Sequence, residues 1–200
     1  MNVQNRRIAT EKKIVDALKR LLARDGFREV GVNAVAREAE VSKELIYRYY
    51  GGVDGILERL MKEEDFWPSV KHLAEPSEHR EPGDRIPDMV VKQSRLLRDN
   101  AVLKEIRSWE LIDKNDLTAK LAEEREKASI AFLAQNDIAP EDDRVPLAAL
   151  MLAGVLYLGL RSNTAENFMG IPLTTDEGWE RLENTVSRVL GEAFNPGDDA

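Results

Sequence analysis

Apolar residues recur every three or four positions along most of the chain, as they do on the inner face of a helix. In residues 10–25, Ile14, Leu18 and Leu21 follow this spacing, and residues 176–194 carry a similar stripe. No segment alternates apolar and polar residues in the manner of a β-strand. The pattern therefore predicts an all-α chain with about nine helices, at about 10–25, 32–39, 43–50, 53–61, 87–98, 100–113, 115–136, 146–162 and 176–194.

Residues that favour helix ends stand at several of these boundaries. Thr10 and Ser42 are candidate N-caps, because a hydroxyl oxygen can accept a hydrogen bond from a free N–H of the first turn. Gly26 and the pair Gly51-Gly52 can end the helices that precede them, since glycine adopts left-handed backbone angles at little cost. The second and third helices are therefore short, and a tight turn at Glu40-Val41 joins them.

The stretch between residues 68 and 87 is polar and contains four prolines, which favours a connection over a helix. His72 and His79 lie there among several glutamates, and this composition fits either a metal site or a solvated connection. The solvated connection is the favoured interpretation. No metal ion or other cofactor is therefore expected.

The composition excludes several classes of protein. The chain has 200 residues, enough for one large domain or for a small domain joined to a larger one. It has no cysteine, which excludes disulfides, thiolate zinc sites and cysteine nucleophiles. The longest apolar run, 147–160, is shorter than the ~18 residues of a membrane span, and the N-terminus lacks the apolar core of a signal peptide. We expect a cytoplasmic protein with no membrane segment.

Charge is unevenly distributed along the sequence. Residues 1–50 contain 11 Lys and Arg against 7 Asp and Glu, although the whole chain has a net charge of -8. A basic N-terminal part on an acidic remainder indicates that the N-terminal part meets an anion. The remainder is expected to serve another purpose.

The stretch VNAVAREAEVSKELIYRYY, residues 32–50, fits a helix-turn-helix. Ala36 is small where the two helices must approach, and Leu45 and Ile46 hold the second helix against the first. The residues left to face outward can bond base edges or phosphates, with arginine able to make a bidentate bond to guanine. These outward residues are Lys43, Glu44, Tyr47 and Arg48.

With the following segment, GGVDGILERL, this stretch resembles the TetR family of bacterial transcriptional regulators. The resemblance implies a helix-turn-helix DNA-binding domain at 1–52 and a helical effector-binding and dimerisation domain at 53–200. It also implies that the DNA contacts come from the third helix, at Ser42, Lys43, Glu44, Tyr47, Arg48 and Tyr49.

Two positions depart from the family pattern. The turn usually carries glycine where this chain has Glu40, so strain is expected if φ is positive there. The fourth helix often begins with a phosphate-binding lysine, and here that position is Val53. The backbone N–H groups of that helix start can still bind a phosphate. Upstream, Arg6 and Arg7 form either a basic arm that reaches the DNA or a solvated, disordered start.

The central helices are where the resemblance implies a site for a small, largely apolar effector. Such sites combine apolar walls with a few polar anchors. Among the candidate residues, Glu110 has the least certain role, because it could recognise a ligand or simply pair with Arg107 or Arg125. A filled core without a cavity is the alternative for the whole region. The candidate effector-binding residues are Met89, Gln93, Ser94, Trp109, Glu110 and Phe132.

The last two helices carry more apolar surface than one chain is expected to bury. Residues 146–162 are apolar nearly all round, and 176–194 have a continuous apolar stripe. Two copies that pack these helices together would form a four-helix bundle and a homodimer with two-fold symmetry. The alternative is that both helices are core. The predicted interface residues are Leu156, Trp179, Leu182, Val186, Val189 and Leu190.

These features together predict a DNA-binding transcriptional regulator, most simply a repressor that a small-molecule effector releases from a double-stranded DNA operator. The alternatives are an enzyme on an all-α scaffold and a helical protein-interaction module. Neither alternative predicts binding to duplex DNA with a steep salt dependence.

Overall fold

A computed structural model describes residues 3–62 and 82–195 of the chain. Within these residues it contains nine α-helices, two 3₁₀ turns and one two-stranded ladder, so the predicted all-α class is confirmed. The segment with His72 and His79 lies outside the described residues. The helices are α1 (Val3–Asp25), α2 (Val32–Glu38), α3 (Lys43–Tyr50), α4 (Val53–Met61), α5 (Arg85–Asp99), α6 (Ala101–Ile112), α7 (Asp116–Gln135), α8 (Val145–Arg161) and α9 (Asp176–Phe194).

The predicted start of the first helix at Thr10 is wrong. α1 begins at Val3, and the Thr10 hydroxyl donates to the carbonyl oxygen of Arg6 one turn earlier, at 2.8 Å. A threonine inside a helix can bond back to the preceding turn in this way, so its presence does not mark a helix start. Arg6 and Arg7 are therefore helical, which contradicts the disordered start, whereas the alternative of a basic arm that reaches the DNA stays a prediction.

The second corrected expectation concerns β-structure. Asn167–Phe168 pairs antiparallel with Ile171–Pro172, and Met169 and Gly170 between them have φ of 49° and 78°. Two central residues with positive φ are the usual connection of a two-residue hairpin. The strands are two residues long, too short to show any alternation of polar and apolar residues.

Contacts divide the chain into two compact units, with the boundary inside α7. The head unit comprises residues 1–67 and 101–121, and the body unit comprises 68–100 and 122–200. The contacts therefore group α4 and α6 with the N-terminal helices. The predicted functional boundary after residue 52 stays a prediction.

In the head unit, α1 is the central helix, and α2, α4 and α6 pack against it. The predicted apolar face of α1 is buried, with Ile14, Leu18 and Leu22 fully inaccessible to solvent. Ile56 and Leu60 of α4 are equally buried. Side chains of this size each stabilise the fold by about 1.5–3 kcal/mol when they leave water, which makes α1 the organising element of the head unit.

In the body unit, α5 packs against both α8 and α9. Gly159 of α8 permits close packing, because a Cβ there would lie 2.9 Å from a methyl carbon of Leu97. Thr175 caps α9, where its hydroxyl accepts a hydrogen bond from the Gly178 N–H at 3.3 Å. The shared core consists of Ile86, Val90, Phe132, Ile138, Ala148, Val155, Val186, Leu190 and Phe194.

Candidate nucleic-acid interface

The turn between α2 and α3 has the geometry that the sequence predicts. The backbone N–H of Val41 donates to the Ala36 carbonyl oxygen at 3.0 Å, and Ala36 is 8% exposed where the helices approach. Glu40 has φ of 50°, so the strain expected from a non-glycine residue at this position is present. The Glu40 carboxylate pairs with Lys13 Nζ of α1 at 2.8 Å, which ties the turn to the central helix.

Below this turn, α3 presents one face to the core and the other to solvent. Ile46 is fully buried and Leu45 is half-buried, whereas Lys43, Glu44, Tyr47 and Arg48 are exposed as predicted. We call these four residues the exposed face of α3. Ser42 stands at the predicted N-cap position with extended backbone angles, but its side chain makes no capping hydrogen bond to the backbone.

The Glu44 carboxylate forms hydrogen bonds at the N-terminal end of α3. Its pKa lies below its ordinary value because it accepts hydrogen bonds from its own backbone N–H and from the Ser42 hydroxyl. Glu44 is therefore anionic at neutral pH. In that state it can accept a bond from cytosine N4 but repels phosphate.

At the C-terminal end of α3, three arginines converge on a single open cleft of about 430 Å³. We call it the arginine cleft; it is lined by Arg6, Arg7 and Thr10 of α1 and by Arg48 and Tyr49 of α3. The guanidinium carbons of Arg7 and Arg48 lie 5.3 and 5.2 Å from the centroid of the Tyr49 ring. Both distances lie within the range of a cation–π interaction, so one half-buried tyrosine orients two cations.

Two hydrogen bonds fix α1 next to α3 at this cleft. The Tyr50 hydroxyl donates to the Glu11 carbonyl oxygen at 3.0 Å. One turn earlier, Arg7 Nε donates to the Glu11 carboxylate at 2.7 Å, which raises the pKa of the Arg7 guanidinium. The cleft therefore holds one partly compensated arginine and two that form no ion pair among the described residues, Arg6 and Arg48.

A second cleft of the head unit, of about 450 Å³, has a different charge balance. Its Arg24 pairs with Asp25 at 2.8 Å, which lowers the pKa of Asp25. The pKa of Glu38 is lowered first by its hydrogen bond from Arg20, at 2.8 Å, and then by that from Arg24, at 3.3 Å. Since three carboxylates, those of Asp25, Glu29 and Glu38, line this cleft beside two arginines, it is a poor site for a polyanion.

Helix α6 holds the turn that follows α1. The rings of Phe27 and Trp109 stack with 4.3 Å between centroids and an interplanar angle of 11°. The Phe27 N–H also donates to the Glu105 carboxylate at 3.2 Å. Trp109, a predicted effector residue, therefore packs in the head unit, and its indole N–H donates to Asp113 at 2.8 Å.

Glu110 is a buried carboxylate on α6, where the sequence leaves open a ligand contact or an ion pair with an arginine. Its side chain is 5% exposed, and it pairs with Arg107 one turn earlier at 3.5 Å. The pairing with Arg107, one of the two alternatives, is therefore present. A carboxylate buried to this degree needs such a partner, because an unpaired charge in the interior is costly.

The remaining predicted effector residues lie in the body unit. Phe132 belongs to the buried core, and Met89 packs against that core. Ser94 is 1% exposed, and its hydroxyl oxygen has no hydrogen-bond partner among the described residues. Gln93 is half-buried beside it on α5. The structure therefore brings Met89 and Phe132 to one core but places Trp109 and Glu110 in the other unit.

Three of the predicted interface residues are core residues of a single chain. Trp179, Val186 and Leu190 are at most 3% exposed, because the apolar stripe of α9 faces inward. Buried side chains cannot contact a second chain directly. Leu156, Leu182 and Val189 are half-buried and remain accessible.

An apolar surface remains instead on α8. Leu150 is 72% exposed and Tyr157, two turns further along, is 53% exposed. Ala153 and Gly154 are exposed between them, and no charged residue interrupts the four. We call these residues the apolar face of α8. The sequence did not single them out, because a helix that is apolar all round carries no periodic signal that separates its inner from its outer side.

The described residues contain neither a membrane-spanning helix nor a cluster of metal ligands. No helix in residues 3–62 and 82–195 is long and apolar enough to cross a lipid bilayer. In the same ranges, no three His, Asp or Glu side chains cluster in a way that could hold a metal ion.

Comparison with known proteins agrees with this geometry. Residues 14–60, which span most of α1 and all of α2, α3 and α4, match the family model for bacterial regulatory proteins of the tetR family. No curated protein matches the chain in sequence.

Solved structures of regulators share the fold over nearly the whole chain. The fatty acid degradation regulator FadR from Bacillus halodurans has a TM-score of 0.67 at 17% identity, covering 91% of this chain and 94% of its own. Salmonella enterica GusR has a TM-score of 0.61 at 20% identity, covering 91% and 95%. A TetR-like transcriptional regulator from Rhodococcus sp. RHA1 has a TM-score of 0.60 at 18% identity, covering 90% and 95%. In sequence, residues 14–60 are therefore similar to TetR-family regulators, and the chain as a whole shares the fold of these solved regulators.

Proposed function

We propose that this protein is a transcriptional repressor that binds a double-stranded DNA operator through α3. The observation that carries the proposal is the exposed face of α3, which presents lysine, arginine and tyrosine on a helix whose opposite side is anchored by buried Ile46. A helix held in this way can enter the major groove as a rigid unit. As a regulator of genes in a bacterium, it would act in the cytoplasm.

The residues of α3 divide by position along the helix. In a helix-turn-helix, residues near the start of the recognition helix reach the base edges. Lys43, Glu44 and Tyr47 occupy the first two turns and are proposed to read bases. Ser42, before the first turn, and Tyr49, at the last turn, are proposed to contact the DNA backbone.

We propose that the active form is a homodimer. The apolar face of α8 is exposed in the single chain, and a contiguous apolar surface of this kind is typical of an interface. The half-buried Leu156, Leu182 and Val189 would extend the contact around α8 and α9. A two-fold dimer also supplies the paired recognition helices that an operator with two half-sites requires.

We propose further that the body unit binds a small, largely apolar effector that releases the DNA. Support comes from Ser94, whose buried hydroxyl has no partner among the described residues and stands on the helix that carries Met89 and Gln93. A buried hydroxyl without a partner costs about 1–3 kcal/mol, and a ligand with a hydrogen-bonding group would recover that cost. Only one residue, Asn100, separates α5 from α6, which holds the turn after α1.

The effector must bind the DNA-incompetent arrangement more tightly than the competent one. Coupling of about 1–3 kcal/mol would lower operator affinity about 5- to 150-fold, and the operator would lower effector affinity by the same factor. Displacement of α4 or α6 would change the spacing of the two recognition helices. A thermal-shift screen of apolar compounds, followed by operator titration with each hit, tests this. Hits that stabilise the protein but leave operator affinity unchanged would contradict the coupling.

Footprinting tests the DNA-binding function itself. The protein is titrated against the DNA that flanks its own gene, and cleavage protection is mapped. The proposal expects two protected half-sites about 34–36 Å apart along the duplex or at a multiple of that distance. Absence of protection on this DNA and on a genomic fragment library would remove the proposed function.

A further inference from the structure

We infer that the arginine cleft is a clamp for one phosphate of the DNA backbone, and that Arg48 belongs to this clamp and not to the residues that read bases. This inference rests on the proposed DNA-binding function. It gives Arg6 and Arg7, which the sequence offers as a basic arm that reaches the DNA, one phosphate contact shared with α3. It also moves Arg48 from the base contact with guanine that the sequence suggests.

The charge of the cleft favours an anion. Arg6, Arg7 and Arg48 line it, and Glu11 is the carboxylate that pairs with one of them. Arg6 and Arg48 form no ion pair among the described residues, in contrast to Arg20 and Arg24, which pair with Glu38 on the other cleft. Guanidinium groups bind phosphate oxygens in bidentate fashion, so two such groups on one cleft suit a phosphate.

The cleft is also preorganised. The Tyr49 ring attracts the guanidinium groups of Arg7 and Arg48 from 5.3 and 5.2 Å, which restrains two long side chains before any ligand arrives. Since Tyr49 is half-buried on α3 and Tyr50 bonds to α1, the cleft keeps its shape through contacts between two helices.

The position of Arg48 supports a backbone contact. It stands in the last turn of α3, whereas base edges are reached from the start of a recognition helix. Its guanidinium lies over Tyr49 and lines the same cleft as residues of α1. When α3 lies in the major groove, its C-terminal end and the N-terminal part of α1 flank the groove, where the phosphates run.

The test compares salt dependence among single arginine variants of the full-length chain. Arg6→Gln, Arg7→Gln and Arg48→Gln each remove one charge from the cleft. Arg28→Gln removes one charge from an exposed residue of the head unit that lines neither cleft. Fluorescence anisotropy gives the association constant for a random-sequence duplex and for a duplex selected by the wild-type protein, over a series of salt concentrations.

Each cleft variant is expected to lower the slope of log K against log salt by about one, whereas Arg28→Gln leaves it unchanged. Affinity for the two duplexes should fall by the same factor, because a phosphate contact carries no sequence information. Arg48→Lys keeps the charge and should restore most of the slope. Thermal unfolding of every variant excludes misfolding as the cause.

Two outcomes would overturn the clamp while leaving DNA binding intact. One is wild-type binding with a steep slope that the cleft variants do not alter. The other is an Arg48→Gln variant that loses affinity for the selected duplex alone, which would return Arg48 to base reading. Protection of the wild type against thermal unfolding by inorganic phosphate, with unchanged DNA slopes, would assign the cleft to a free anion instead. No salt-dependent binding by the wild type would remove the proposed function and the clamp together.

Discussion

Phe27 and Trp109 stack face to face although 81 residues separate them in sequence, with 4.3 Å between ring centroids and 11° between planes. Phe27 belongs to the turn after α1 and Trp109 to α6. The Glu105 carboxylate of α6 accepts a hydrogen bond from the Phe27 N–H. Two contacts from α6 therefore hold the turn that follows α1. This stack joins the turn after α1 to the helix that directly follows α5 in sequence.

Replacing Phe27 with leucine is expected to destabilise the head unit. An aromatic pair contributes about 0.5–1.5 kcal/mol beyond the area it buries, and leucine keeps most of that area. Urea denaturation followed by far-UV circular dichroism should show a loss of about 1 kcal/mol in the free energy of unfolding. Phe168→Leu is the matched control, because Phe168 is exposed and touches Tyr157 only edge-on at 5.9 Å. Equal losses for the two variants would contradict a specific role for the stack.

Replacing Glu40 with glycine is expected to stabilise the protein. Its φ of 50° costs a residue with a Cβ about 1–2 kcal/mol, whereas the ion pair with Lys13 is exposed and screened by solvent, so it contributes less than the strain costs. The net gain should be about 0.5–1 kcal/mol in the same denaturation assay. Glu40→Ala removes the ion pair but keeps the strain, so it should not stabilise. A glycine variant less stable than the wild type would show that the ion pair outweighs the strain, and one no more stable than the alanine variant would contradict the strain itself.

The stability contribution of Asp142 is expected to disappear in acid. Hydrogen bonds from the Arg144 side chain and backbone N–H lower the pKa of Asp142 from 3.8 to about 2 in the folded chain. A carboxyl group whose pKa is lower in the folded chain than in the unfolded chain stabilises the folded state. This contribution is complete when the pH is above the pKa of the unfolded chain, and it is lost as the pH falls through the pKa of the folded chain. Asp142→Asn should therefore have a lower Tm than the wild type at neutral pH, and the difference should close between about pH 4 and pH 2. A difference that is constant over this range, or matched by the neighbouring Asp143→Asn, would contradict the assignment.

Replacing Leu150 or Tyr157 with glutamate is expected to break the proposed homodimer. Both side chains are exposed on the apolar face of α8, so the single chain should still fold with a charge there. Dimerisation should fail, because burying an unpaired charge against a second copy is costly. Light scattering should give half the wild-type mass. Ile112→Glu places the same charge on an exposed residue of the head unit and should leave the mass unchanged. A monomeric wild type, or an undiminished mass for both α8 variants, would contradict the interface.

Most structural features that depend on neighbours along the chain were predicted correctly from the sequence. Periodic apolar residues predicted the helices to within a few residues except at the start of α1, and the spacing in 32–50 predicted which side of α3 faces solvent. Glycine was a reliable boundary signal, because α1 and α3 end directly before Gly26 and Gly51, which both have positive φ. Threonine was less reliable, because Thr10 can bond inside a helix as readily as at its start.

Features that depend on distant residues could not be predicted. The arginine cleft joins α1 to α3 through residues about 40 positions apart, and no local pattern links Arg7 to Tyr49. The inward direction of the α9 stripe depends on α5 and α8, which cover Trp179 and Val186 within one chain. For the same reason the apolar face of α8 became visible only when its neighbours were in place.

The central claim is that α3 reads duplex DNA, and the ratio of two affinities tests it most directly. A duplex selected by the protein from a random pool is compared with a random-sequence duplex by anisotropy at physiological salt. We expect the selected duplex to bind at least about 10³-fold more tightly. We also expect Tyr47→Ala, which removes an exposed side chain of α3 without disturbing the core, to lower this ratio. A ratio near one for the wild type, or an unchanged ratio for substitutions at both Lys43 and Tyr47, would contradict the central claim.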